Sequence, residues 1–261
     1  MKIACVQMNI QFGDVERNYA SVENYIKKAA ADKADIIVFP EMWNTGYALN
    51  QLDQLADENG QRTQNLLSEL ASKFNVNIVG GSVATKRDGS FYNTMYVANR
   101  SGEVVADYDK AHLFKLMDEH HFLNAGQKMN TFELDGIMCG GVICYDIRFP
   151  EWILAHVLKG AKIMFVPAEW PATRIDHWQI LLQARAIENQ CFIVAVNRVG
   201  SDPNNQFNGH SMVIAPWGEL LLSRQTEEGI YTVDLDLKEV DRVRNAIPVF
   251  QDRRADLYAN K

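Results

Sequence analysis

The sequence predicts an α/β fold, and three observations carry that expectation. Short apolar runs alternate with amphipathic helical stretches both early and late in the chain. The 261 residues are 47% hydrophobic, ample for one large core, and no linker, low-complexity tract or composition shift divides them. One domain spanning 1–261 is therefore expected. Third, Asp35-Ile36-Ile37-Val38-Phe39-Pro40-Glu41-Met42-Trp43 is echoed by Lys162-Ile163-Met164-Phe165-Val166-Pro167-Ala168-Glu169-Trp170, so two similar strand ends could face one cleft.

Taken in order, Lys2 to Ile10 reads as a strand. Asp14 can cap a helix running to about Ala31, with Val15, Tyr19, Val22, Ile26 and Ala29 at helical spacing. The run ending at Phe39 reads as a buried strand, stopped by Pro40, which has no N–H to give a ladder. Thr63 to Phe74 forms a second helix with Leu66, Leu67 and Leu70 on one face. Strands follow near Ile78–Ala84, Thr94–Ala98, Val104–Tyr108 and Phe132–Leu134, then one carrying Cys139 and Cys144 on opposite faces. Pro150 suits the first turn of a helix that ends at Gly160. Lys162–Val166 is a strand, and Asp176 to Asn189 a helix offering Trp178, Leu181, Leu182 and Ile187 for burial. Cys191–Val196, Met212–Ala215, Leu220–Ser223 and Ile230–Leu235 complete the strands.

Three strand ends carry chemistry. Cys144 follows Gly140-Gly141-Val142-Ile143 and precedes a helix. A thiol on such a bend is expected to be exposed, ringed by backbone N–H groups and biased toward thiolate by the helix N-terminus. Alone it would read as an inert core cysteine. Glu41 lies just past a core strand, where desolvation raises a carboxyl toward the range useful to a general base. Lys110, among apolar and aromatic neighbours after Val104–Tyr108, could place positive charge where an oxyanion develops.

Composition excludes several classes. The net charge is −7, from 26 Lys+Arg and 33 Asp+Glu, with no basic block, so nucleic acid is not an expected partner. No apolar run approaches the roughly 20 residues that span a bilayer. Met1–Val6 leads into Gln7 without a cleavage-type segment, so no secretory leader is expected. The four cysteines are scattered, without a CxxC pair, which points to free thiols and the cytoplasm. No metal signature or phosphate-binding glycine loop occurs, so no cofactor or metal is expected.

Glu41, Lys110 and Cys144, in that order at three strand ends, are more specific than any one of them. Through Phe39-Pro40-Glu41, Lys110-Ala111-His112-Leu113-Phe114 and Cys144-Tyr145-Asp146-Ile147-Arg148-Phe149-Pro150-Glu151, the chain resembles the nitrilase superfamily of carbon–nitrogen hydrolases. The likeness extends over Gly209-His210-Ser211, Pro216-Trp217-Gly218, Ile247-Pro248-Val249-Phe250 and Arg253-Arg254-Ala255-Asp256-Leu257-Tyr258. Within the superfamily it looks most like the omega-amidase branch. The resemblance implies a four-layer α-β-β-α sandwich, usually dimerised through the helices that follow the Cys144 and Pro167 strands. It implies Cys144 as nucleophile, Glu41 as base, and Lys110 with the Tyr145 backbone N–H as oxyanion donors. It implies a second carboxylate too, for which Glu119 suits the spacing to Gly126, with Asp118 adjacent. Tyr47 falls where relatives place a substrate-contacting tyrosine, and Trp170 where a residue can wall the pocket. Arg148 and Arg174 are candidates either for structural ion pairs or for binding a substrate carboxylate.

The implied reaction is hydrolysis of a small amide through a thioester, with 2-oxoglutaramate the leading substrate. An amidase of other preference, a nitrilase or an N-carbamoyl amine hydrolase would use the same residues. His112 and His210 open a rival Cys–His hydrolase reading that leaves Glu41 and Lys110 unexplained. His120 and His121 would point apart in a strand, a poor metal geometry, and His177 beside Trp178 reads as structural. A non-catalytic binding protein on the same fold would lack one of Glu41, Lys110 and Cys144; all three are present.

Overall fold

In a computed structural model, which describes residues 1–223 and 225–258, two large sheets stack face to face. The first has eight strands; Lys2–Gln7 lies one strand in from its Gly229–Asp234 edge, antiparallel to that edge strand and parallel to Ile36–Val38 on its other side. The second has six strands and centres on Ile163–Ala168 between the parallel Ile137–Gly141 and Phe192–Asn197. Strand alternation decides what each face meets. Ile3 and Cys5 point into a core shared with the second sheet's Phe165 and Val194. Ala4 and Val6 point the other way, onto Val22 and Ile26 of the Val15–Ala31 helix and Leu67 and Leu70 of the Gln61–Phe74 helix. On the far side of the second sheet, Ile153 and Val157 of Pro150–Leu158 and Trp178, Leu182 and Ala186 of Ile175–Asn189 join the shared core. The layers are therefore α-β-β-α.

Several expectations need correction. The predicted Ile78–Ala84 strand is two, Asn77–Val79 and Val83–Arg87. Gly81 between them has φ +64°, and a Cβ there would lie 2.0 Å from the Pro40 carbonyl oxygen; the turn packs on the Glu41 loop too closely for any side chain. Ile187 is 52% exposed, because it faces away from the sheet. Cys139 lies in Ile137–Gly141, whereas Cys144 lies beyond that strand, opening the 3₁₀ turn Cys144–Arg148. They share no strand, so strand alternation does not relate them. The Val199–Ser201/Gln206–Asn208 hairpin and the Lys238–Ala246 helix were not anticipated.

The bend at Cys144 is held by one carboxylate. Asp146 is fully buried. Its Oδ2 accepts the Ile143 N–H at 2.9 Å and the Tyr108 hydroxyl at 2.8 Å. Its Oδ1 accepts the His112 N–H at 2.9 Å and lies 2.7 Å from His112 Nδ1. One side chain thus ties the Cys144 turn to the segment that follows Lys110. Asp146→Ala leaves buried donors without acceptors, each worth on the order of 1–3 kcal/mol. Urea denaturation should show a loss of about 3 kcal/mol or more; a loss below about 0.5 kcal/mol contradicts this role.

Candidate active site

The site forms where the two sheets present their strand ends. Ile36–Val38 stops before Pro40, and the next turn is pinned by Met42 N–H to Ser82 Oγ (3.0 Å) and Trp43 Nε1 to the Gly80 carbonyl (2.6 Å). That turn drives the Glu41 side chain inward, where it is fully buried. Lys110 follows Val104–Asp109; its N–H bonds the Asn93 carbonyl and its carbonyl accepts from Gly126 N–H, both at 2.9 Å. Gly126 is required there, because a Cβ would sit 2.0 Å from the Asp109 oxygen. Glu119 begins the one-turn helix Glu119–Phe122 and is fully buried, whereas Asp118 is exposed.

These groups converge. Lys110 Nζ donates to Glu41 Oε1 at 2.8 Å and to Glu119 Oε1 at 2.6 Å. The Tyr47 hydroxyl lies 2.9 Å and 2.6 Å from the same two oxygens, and Asn93 Nδ2 donates to Glu41 Oε1 at 2.8 Å. Glu41 Oε1 therefore has three donors around it. Its Oε2 receives, among the described residues, only the Glu169 backbone N–H, at 2.8 Å, and is the oxygen with room for a proton. Burial works against the charge on Lys110, but Glu119 and Glu41 outweigh it and hold the ammonium well above its usual range. Burial raises the Glu119 carboxyl, with Lys110 opposing.

Cys144 adopts φ +46°, a left-handed conformation costly for a side-chain-bearing residue. The sulfur is not the exposed group the sequence suggested, since the residue is only 5% exposed. Nor is it biased toward thiolate. It opens a 3₁₀ turn and not the Pro150–Leu158 helix, and burial followed by the Glu41 charge raises the thiol well above its usual range. Both effects favour the protonated thiol over the thiolate.

Cys144 opens onto a narrow slot with an empty volume of about 230 Å³. Tyr145, Arg148, Trp170 and Arg174 line it, as do Phe114, Met117 and Glu169, which the sequence reading gave no role. Arg148 stacks on the Trp170 ring at 5.0 Å and contacts His177 Nδ1 at 3.3 Å, while Arg174 lies over Phe114 at 5.3 Å. Tyr47 does not line the slot; its hydroxyl belongs to the carboxylate cluster. Asn93 was missed because an asparagine inside a strand carries no local signal. Glu169 was within view, since it ends the echoed strand.

Among the described residues no histidine lines the slot. His112 is engaged with Asp146, and His210 with the Asn208 carbonyl at 3.0 Å. His120 and His121 lie on the Glu119–Phe122 turn and not in a strand. Among the described residues no group of three or more His, Cys, Asp or Glu could hold a metal ion.

Residues 2–245 match the carbon-nitrogen hydrolase family. The chain is 52% identical over 256 residues to a 2-oxoglutaramate amidase of Bacillus subtilis, covering 98% of each. It is 32% identical over 268 residues to the human omega-amidase NIT2, covering 99% of this chain and 96% of that one. A Xanthomonas campestris CN-hydrolase superfamily protein, whose crystal structure has an arsenic adduct in the active site, superposes with a TM-score of 0.90 at 28% identity over 97% of each chain. Sequence and fold together show that this chain belongs to the carbon-nitrogen hydrolase family.

Proposed function

We propose that the chain is an omega-amidase-type enzyme, hydrolysing the terminal amide of a short dicarboxylic acid monoamide, with 2-oxoglutaramate the leading substrate. The observation that carries the reading is Cys144, beside a buried Glu41–Lys110–Glu119 cluster, at one end of a slot whose other lining includes two arginines. The slot is narrow and leaves no room for a bulky ligand. Neither Arg148 nor Arg174 has a carboxylate partner among the described residues, and a substrate carboxylate would supply one. The relatives named as 2-oxoglutaramate amidase and omega-amidase support the same class.

In this mechanism Glu41 Oε2 takes the Cys144 thiol proton as sulfur bonds to the amide carbon. The oxyanion is held by Lys110 Nζ and the Tyr145 N–H. On collapse the C–N bond breaks, and Glu41 returns its proton to the nitrogen, which leaves as ammonia. A thioester remains. Glu41 then removes a proton from water, whose oxygen attacks the thioester carbon; the C–S bond breaks and the proton goes to sulfur, releasing the carboxylic acid. Glu119, through Lys110 and Tyr47, keeps the cation and the base in place. No step calls for a cofactor.

One domain spanning 1–261 and a homodimer complete the proposal. Helices Pro150–Leu158 and Ile175–Asn189 carry exposed Leu158, Ile180 and Ile187, apolar surface suited to a second copy. A cytoplasmic setting suits the four free cysteines; no described helix is long and apolar enough to cross a membrane.

Cys144→Ala should abolish ammonia release while the protein stays folded, and intact-mass measurement with a slow substrate should find an acyl adduct on the parent protein only. Full activity in Cys144→Ala ends the mechanism. Glu41→Gln should lower kcat by about 100- to 10,000-fold. In an ammonia-release screen, 2-oxoglutaramate should be preferred to propionamide, nitriles and N-carbamoyl amines. Arg148→Met or Arg174→Met should reduce kcat/KM for the acid amide more than for a neutral amide. Equal rates on charged and neutral amides would refute the omega-amidase assignment and leave the cysteine chemistry standing.

A further inference from the structure

Glu169 and Arg198 form a second buried ion pair beside the cluster. Both are fully buried, with Arg198 Nη1 2.8 Å from Glu169 Oε2. Arg198 is anchored in turn by Nη2 to the Ile10 carbonyl at 2.7 Å and Nε to the Val199 carbonyl at 3.1 Å. The Glu169 backbone is equally fixed. Its N–H holds Glu41 Oε2, and the next N–H, of Trp170, bonds Asn197 Oδ1 at 2.7 Å. With both ends pinned, the carboxylate has little freedom to turn. Its other oxygen, Oε1, is buried and has no hydrogen-bond partner among the described residues. An unpaired carboxylate oxygen away from water is costly, and proteins seldom leave one without a reason. Burial works against the charge on this carboxyl, and the Arg198 guanidinium opposes that effect. A purely structural pair with Arg198 needs no second oxygen left empty in a residue that lines the Cys144 slot.

The geometry of the reaction says what could fill that position. With the amide carbon at Cys144 and its oxygen at Lys110 and Tyr145 N–H, the remaining substituent is the NH₂ group. It must face Glu41, which protonates it on departure, and Glu169 is the residue joined to Glu41 by its backbone N–H. We propose that Glu169 is a specificity-determining residue whose Oε1 accepts an N–H of the substrate's primary amide, so that the site selects an amide over the matching ester. This inference rests on the Cys144 amide-hydrolase reading. A primary amide has N–H donors on its nitrogen, and Glu169 Oε1 offers an acceptor for one of them. An ester would put an alkoxy oxygen, with lone pairs and no hydrogen, against a carboxylate. Such a site disfavours the analogue by repulsion as well as by the missing bond.

The test compares succinamate with monomethyl succinate, which share an acid end and a reacting carbonyl and differ in the leaving group. Glu169→Gln is close to isosteric. Its amide oxygen can still accept from Arg198, its backbone N–H still serves Glu41, and its NH₂ replaces the acceptor at Oε1 with a donor. Kcat/KM for succinamate should fall about ten- to a hundred-fold, the range for losing a hydrogen bond to a charged group, while that for the ester stays level or rises. Equal losses on both substrates, or no loss on the amide, overturn the proposal. If Glu169→Gln does not fold, Glu169→Asp replaces it; withdrawing the free oxygen should give the same amide-selective loss. Failure of the underlying reading would show separately, as amide turnover in Cys144→Ala.

Discussion

A lysine ammonium with no access to water sits between two carboxyl groups, and the rest of the site is arranged around it. An ammonium of this kind is tolerated only when paired and fully hydrogen-bonded, since transferring an isolated charge into the interior costs several kcal/mol even after relaxation. Glu41 and Glu119 pair Lys110 and take two of its three N–H donors. The requirement then spreads outward. Two carboxyl groups beside each other need the cation, Tyr47 and Asn93 to satisfy their oxygens. The same demand makes three chain segments, around 41, 110 and 119, meet at one point.

The second sheet completes what the first begins. Glu41 comes from the eight-stranded sheet, yet its free oxygen is held by the backbone N–H of Glu169, at the end of a strand of the six-stranded sheet. Cys144 lies just beyond a strand of that second sheet, and Asp146 ties its turn back to the Lys110 segment. Cys144 and Glu41 are thus delivered by opposite layers of the sandwich. The shared core between the layers sets their separation. A close-packed core transmits small displacements, so substitutions between the sheets should affect turnover as well as stability.

Much of this was legible in the sequence, and for definite reasons. Pro40 ends a strand by chemistry, so Glu41 had to lie at an edge of the core. The Lys110 and Cys144 motifs fell at strand ends that apolar runs reveal. The choice between Asp118 and Glu119 was not legible; a left-handed Asp118 at φ +59° turns the chain so that Glu119 faces inward. The upward shift of the Cys144 thiol was not legible, because it comes from burial and from the Glu41 carboxylate beside it, and because a 3₁₀ turn and not an α-helix follows. Asn93 and Arg198 act over separations in sequence that no local pattern reports. The echo between 35–43 and 162–170 did point to a shared cleft, and the strand ends carrying Glu41 and Glu169 do meet.

The central claim is that Lys110 and its carboxyl partners form one energetic unit, and a double-mutant cycle tests it most directly. Urea denaturation of Lys110→Met, Glu119→Gln and the double variant gives the coupling. Lys110→Met alone leaves Glu41 and Glu119 buried without their cation and should cost about 3–5 kcal/mol. Adding Glu119→Gln removes one of the stranded carboxyls, so the double variant should be more stable than the sum of the singles predicts, by about 1–3 kcal/mol. Losses that add to within about 0.5 kcal/mol would contradict the account.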